Sequence, residues 1–404
     1  MKKIPASDID LFTDQSLADP YPLYQELRDL GAVVEIERNG MYAFPRYREV
    51  REASGNWQVF TSAKGVMMND QVNSALEGVT LCSDPPEHTR MRQVLGRPMR
   101  PEKLRELTPR VEQEAERVVE RLVGQGSFDA ATELAERLPL DIVSELVGLG
   151  NAGRAHMLEW AAATFDAQGP MNPRTIAALP KMDEMVAFAL NEAKPGTLKP
   201  NGWAAQLYAA AEQGDLPVEK CPFMTIDYIA PSLDTTIYAI SSAIHLFARN
   251  PEQWDVLRAD PSLVPHAINE ALRLESPVQR FTRLLTQDSE IDGYPLPAGS
   301  RVVLLYGSAN RDERKYPDPD RFDVRRKPSD HLAFGRGEHV CIGMNLARIE
   351  MRALLEALLP RVSRFELLKA EPALNNTLRG LGTCRVRVSR HSGSGGVEAR
   401  RRRR

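Results

Sequence analysis

The run Phe334-Gly335-Arg336-Gly337-Glu338-His339-Val340-Cys341-Ile342-Gly343 sets one cysteine at the end of a glycine-punctuated turn, ahead of a helix-like stretch from Met344 to Leu359. A sulfur can sit against a metal held in a flat macrocycle only if the backbone wraps closely beneath that ring, and glycines at 335, 337 and 343 permit the approach. Backbone N–H groups in such a turn can point at the sulfur and spread its charge. The segment therefore reads as a haem-binding turn, with Cys341 as the thiolate ligand of the iron and Phe334, Gly335 and Gly343 against the cofactor. The competing reading is a buried structural cysteine.

Three further constellations agree with that chemistry. His88 and Arg92 are spaced to share one face of a helix opened by Asp84-Pro85-Pro86-Glu87. With Arg283 and His339 they make a donor set for two anionic propionates. Glu270 and Arg273 share a helix face, and with Arg321 from Asp318-Pro319-Asp320-Arg321-Phe322 they are expected to form a buried network fixing the segment that leads into the cysteine turn. Pro231-Ser232-Leu233-Asp234-Thr235-Thr236 interrupts a long apolar stretch with polar groups whose burial needs a compensating role. Back-bonding of the threonines to the previous turn is one account; an acid–alcohol pair that relays protons beside bound dioxygen is the other.

The elements that must position these groups are mostly helical. Apolar residues three or four apart run through residues 105–123, and similar patterns cover 140–149, 155–165, 181–193, 218–249, 251–258 and 264–274. A kink is expected at Pro231, which leaves the Asp227 carbonyl without its helical partner. Two hairpins are predicted, residues 33–37 with 41–44 around Asn39-Gly40, and 290–296 with 301–305 around Pro297-Ala298-Gly299. The expectation is a mainly α domain over residues 1–390 with small antiparallel sheets, followed by a flexible tail over residues 391–404.

Of the 404 residues, 42% are hydrophobic and 26% charged, which suits a globular protein with a substantial core. The formal charge is −3; without the five closing arginines, Arg400–Arg404, the body holds 47 basic and 55 acidic residues, or −8, which argues against a nucleic-acid binder. An N-terminus without an apolar run carries no signal for secretion or membrane anchoring, so a cytoplasmic location is expected. Four cysteines without paired spacing suit a reducing compartment. Nothing demands more than a monomer. No glycine-rich dinucleotide fingerprint is present, so electrons are expected from another protein.

Assembled, these residues closely resemble the soluble bacterial cytochrome P-450 family, from about residue 18 to 388: the Phe-Gly-x-Gly-x-His-x-Cys-x-Gly signature, the Glu-x-x-Arg pair and the Asp-Thr-Thr segment occur in order. The resemblance implies a mainly helical fold around haem b (iron protoporphyrin IX), with Cys341 proximal and Asp234 and Thr235 distal. It implies a monooxygenase that inserts one atom of dioxygen into its substrate. Thr235 then acts as a distal hydrogen-bonding group and Asp234, partnered by nearby cations or water, relays protons. Relatives usually carry Ala-Gly in place of Pro231-Ser232.

Within the family, residues 275–279, 307–312 and 375–381 look like those of bacterial enzymes that demethylate methoxybenzoates, which implies a small aromatic substrate, an aryl ether or acid. Lys64 stands where those relatives carry an arginine near the substrate carboxylate, and Gln168 where they carry an aromatic. Similarity also implies a pocket wall of Phe165, Pro231, Leu233, Val278 and Phe281. The expected partners are a ferredoxin with its NAD(P)H-dependent reductase, docking on a basic patch of Arg97, Arg100, Arg336 and Arg348. Tailoring of a larger natural product, a peroxide-driven peroxygenase and a non-catalytic haem-thiolate sensor are the alternatives.

Overall fold

A computed structural model describes residues 2–390; the arginine-ended tail lies outside the described residues. Helices dominate. The stretch predicted over 105–123 is the core of Pro101–Gln125, which opens with proline in its first turn and buries Val111, Ala115, Val118, Val119 and Leu122 along one face. That face packs on Met344–Leu358, the helix that follows the cysteine turn. The other predicted helical stretches fall within or across Arg137–Val147, Gly150–Ala167, Pro173–Asn191, Pro251–Ala259 and Val264–Leu274. Among the described residues, no helix is long and apolar enough to cross a membrane.

Two expectations change. The stretch 218–249 is not one kinked helix: a short 3-10 turn leads into Cys221–Ile229, the chain breaks over residues 230–233, and Asp234–Arg249 begins anew. Pro231 cannot donate to the preceding turn, and the hydroxyls of Ser232 and Thr235 take the carbonyls of Tyr228 and Pro231 in place of backbone donors. The second predicted hairpin does not form either. Ser289–Ile291 pairs with Tyr294–Leu296 across Asp292-Gly293, both at positive φ (52° and 81°), a tighter turn than the proline-bearing segment offers.

Arg301–Leu305 instead lies inside a six-stranded sheet, parallel to Met41–Phe44 and antiparallel to Arg280–Leu285. The first predicted hairpin is present as Val34–Ile36 against Met41–Phe44. A third sheet was not anticipated: Val362–Leu374, Arg379–Arg390 and Ser127–Asp129 pack against the helix Asp234–Arg249.

Glu270 and Arg273 are fully buried and joined by two bonds, Nε to Oε2 at 2.7 Å and Nη2 to Oε1 at 2.9 Å. Arg273 also donates to the carbonyls of Asn310 and Pro319 at 2.8 and 2.7 Å, tying the helix Val264–Leu274 to the loop that runs toward the cysteine turn. The third member is not Arg321, which is exposed, but Arg326, whose Nε lies 3.0 Å from Glu270 Oε1. A turn closed by Arg321 N–H on the Asp318 carbonyl carries Arg321 to the surface, and the chain returns inward five residues later.

Candidate active site

The cysteine turn is held by local geometry. Cys341 N–H donates to the Phe334 carbonyl at 2.9 Å, closing the loop around residues 335–340. Gly335 and Gly337 sit at φ +67° and +73°. At Gly337 a Cβ would lie 2.7 Å from the Ser54 carbonyl oxygen and 2.8 Å from Gly55 Cα, so only glycine admits this crossing. Cys341 has its open surface on the central cavity. Burial against protein pushes its thiol pKa up, while the N–H groups of Gly343 and Met344 and the charges of Arg92 and Arg348 pull it down.

Phe334, Gly335 and Gly343 border the same cavity, as do His88, Arg92, Arg283 and His339. The His88 and His339 rings are 4.3 Å apart. Among the described residues, both ring nitrogens of His88 and Nε2 of His339 are buried without a hydrogen-bond partner. Burial, with the neighbouring arginines, holds the two imidazoles neutral: His88 is lowered to about 4 and His339 to about 2. Arg92 turns its guanidinium to the Val340 carbonyl, one residue before the cysteine. Four side chains able to donate thus converge on one wall, where each neutral imidazole has one N–H to offer.

Across the cavity lies the helix break. Pro231, Ser232, Thr235 and Thr236 border the cavity. Thr235 Oγ1 donates to the Pro231 carbonyl at 3.0 Å, so the back-bond forms and the hydroxyl keeps its lone pairs for acceptance. Asp234 is 6% exposed, lies off the cavity lining, and has no partner for Oδ2 among the described residues. Its pKa is raised to about 7, by burial first and then by Asp166 and Glu136. The charged groups that act on Asp234 are carboxylates, so of the two expected partners, cations or water, no cation is found among the described residues.

Phe165, Val278 and Phe281 border the cavity with Pro231, whereas Leu233 is fully buried in the main core and Lys64 is exposed outside it. Next to Lys64, Gly65 packs closely on Leu284, where a Cβ would lie 2.6 Å from the backbone nitrogen. Of the expected basic patch, Arg97 and Arg100 line a surface recess with Glu338, while Arg348 packs over Phe334 at 4.8 Å and donates to Asn269. Two carboxylates on the cavity lining were missed, the half-buried Asp227 and the fully buried Glu350. Their one available signal was an acid inside an apolar helical run.

A family model for cytochrome P-450 matches residues 258–382, which hold the Glu270–Arg273 pair and the cysteine turn. Cytochrome p450 CYP199A2 of Rhodopseudomonas palustris is 35% identical over 391 residues, 96% of this chain and 95% of that protein. Linalool 8-monooxygenase of Pseudomonas putida is 32% identical, over 93% of this chain and 97% of that one. Among solved structures, cytochrome P-450 CYP109Q5 from Chondromyces apiculatus superposes with a TM-score of 0.80 at 29% identity, covering 95% and 99% of the two chains. Likeness of this extent, in sequence and in fold, leaves one assignment: the chain belongs to the cytochrome P-450 family of haem-thiolate monooxygenases.

Proposed function

We propose that this P-450 oxidises a small aromatic compound, by O-demethylation or ring-side hydroxylation. Support comes from the apolar wall of Phe165, Val278 and Phe281, which offers aromatic faces and edges to a flat ligand between the cysteine turn and Thr235. The similarity to CYP199A2 and the segments over residues 275–279, 307–312 and 375–381 agree with it.

Haem b suits the residues present: a cysteine beneath a glycine turn, and unpartnered imidazole nitrogens beside two arginines where propionates need donors. When bound, haem supplies dioxygen activation at a thiolate-ligated iron. The protein's own share is positional. Cys341 would ligate, His88, Arg92, Arg283 and His339 would hold the carboxylates, and Phe334, Gly335 and Gly343 would lie against the ring. Thr235 would present its hydroxyl to the cavity, and Asp234, its pKa raised to about 7 by burial, would hold a proton behind it. A ferredoxin fed by an NAD(P)H-dependent reductase is the proposed donor, docking at the recess of Arg97 and Arg100.

The test is a spectral titration of ferric protein with methoxy-substituted aromatics and with bulkier polycyclic compounds. A low-to-high-spin shift confined to the small aromatics, followed by ferredoxin-supported product formation, is expected. A shift confined to the bulky compounds would sink the reading.

A further inference from the structure

Among the described residues, two acids border the cavity without a part in the chemistry above: Glu350, which is fully buried, and Asp227, which is half-buried. We propose that Asp227 is a specificity-determining residue that selects aromatic substrates bearing a hydrogen-bond donor, a hydroxyl or a protonated amine, and rejects those bearing a carboxylate. The inference rests on the aromatic reading of the pocket and names the polar group that the ring must carry.

Asp227 lies on the helix Cys221–Ile229, one turn before the break, and borders the cavity beside Thr80, Ala230 and Ile226. Its Oδ2 accepts the Thr80 backbone N–H at 2.9 Å, which fixes the carboxylate in place. Ionised, it accepts about four hydrogen bonds, so acceptor capacity remains on its cavity side. Burial pushes its pKa up to about 6; the Thr80 and Leu81 donors and the charge of Arg92 hold it from rising further, and it stays ionised at neutral pH. An anion bordering an apolar space is costly until a donor meets it.

The donor wall points the same way. His88, Arg92, Arg283 and His339 form the donor wall beside the cysteine turn, with Arg92 already on the Val340 carbonyl. Lys64, the expected counterion for a substrate carboxylate, is at the surface. Gln168, on the cavity lining, carries an amide that donates or accepts and so does not discriminate. An entering carboxylate would meet Asp227 as a like charge, whereas a donor would complete its shell.

Dissociation constants measured by calorimetry on ferric holoenzyme, without turnover, test this. The ligands are para-methoxybenzyl alcohol, para-methoxytoluene and para-methoxybenzoate, together with the cyclohexyl counterparts of each. Wild type should bind the alcohol about tenfold or more tighter than the methyl compound, the range of a hydrogen bond to a charged group, and the benzoate most weakly. Asp227→Asn keeps an acceptor for Thr80 N–H and should cut the alcohol preference about tenfold while improving benzoate; Asp227→Ser should show the same loss. Tightest binding of benzoate by wild type, or an alcohol preference unchanged in both variants, would overturn the role of Asp227. If the alcohol preference appears equally among cyclohexyl ligands, Asp227 stands and the aromatic reading fails; if aromatics bind best with no alcohol preference, the reverse holds.

Discussion

The hydroxyl of Thr235 rests on the carbonyl of Pro231, 3.0 Å away, inside the break that separates two helices of the cavity wall. Proline at 231 frees a carbonyl of the preceding turn, and the Pro231 carbonyl in turn receives the side chain four residues on. The hydroxyl is thereby aimed at the cavity.

Thr235→Ala should retain haem and fold while diverting electrons to hydrogen peroxide, because the distal hydrogen-bonding group is lost. Peroxide formed per NADH consumed is the readout, and Thr235→Ser should restore most of the coupling. Tight coupling in the alanine variant would remove Thr235 from the proton path.

The Asp234 carboxyl has a folded pKa of about 7, above the ordinary carboxylate value. The folded state therefore binds this proton more tightly than the unfolded chain, so stability falls as pH rises from about 4 to about 7, by up to about 1.4 kcal/mol per unit from this group. Asp234→Asn should flatten that slope, and should stabilise more at pH 8 than at pH 5. Urea denaturation across this range checks it; an unchanged slope would show that Asp234 is not held protonated.

Glu270→Gln should cost about 3–5 kcal/mol, since it leaves the buried Arg273 guanidinium without a carboxylate, whereas Arg273→Met leaves Glu270 its bond to Arg326 and should cost less. Arg326→Met should cost about 1.5–3 kcal/mol through one charge-assisted bond. Arg321→Ala should fall within about 0.5 kcal/mol of wild type. Equal losses at 321 and 326 in denaturant unfolding would contradict the network described.

Gly337→Ala combines a positive φ with contacts of 2.7 and 2.8 Å to residues 54 and 55, and should weaken haem retention and lower the melting temperature. At Gly343 the nearest protein atom to an added Cβ is Cys341 Sγ at 3.9 Å, so Gly343→Ala should be far milder for the polypeptide alone. Comparing melting of the two apoproteins separates steric cost from cofactor loss.

What could be read from the sequence was what local order encodes. The cysteine turn, the His88 and Arg92 spacing and the helix Pro101–Gln125 need only neighbours along the chain. Arg321 and Arg326 sit in one loop, and only its folded path decides which reaches Glu270. Leu233 and Lys64 show the same gap: side-chain direction at either position follows from the folded path. Asp227 was hidden in an apolar run until the Thr80 loop was folded against it. The strand Val362–Leu374 alternates only weakly, because its outer half is largely exposed, whereas Cys384-Arg385-Val386-Arg387-Val388 in its partner alternates strictly and offered a legible strand signal.

The interruption over residues 230–233 makes the cavity wall two pieces rather than one. Asp227 stands on the piece before it and Thr235 on the piece after. Because an unbroken helix transmits every twist along its length, substitutions near residue 227 would otherwise re-phase residue 235; here the joint absorbs them. With Asp227 setting ligand preference and Thr235 handling oxygen, as proposed, the first role could change while the second keeps its alignment.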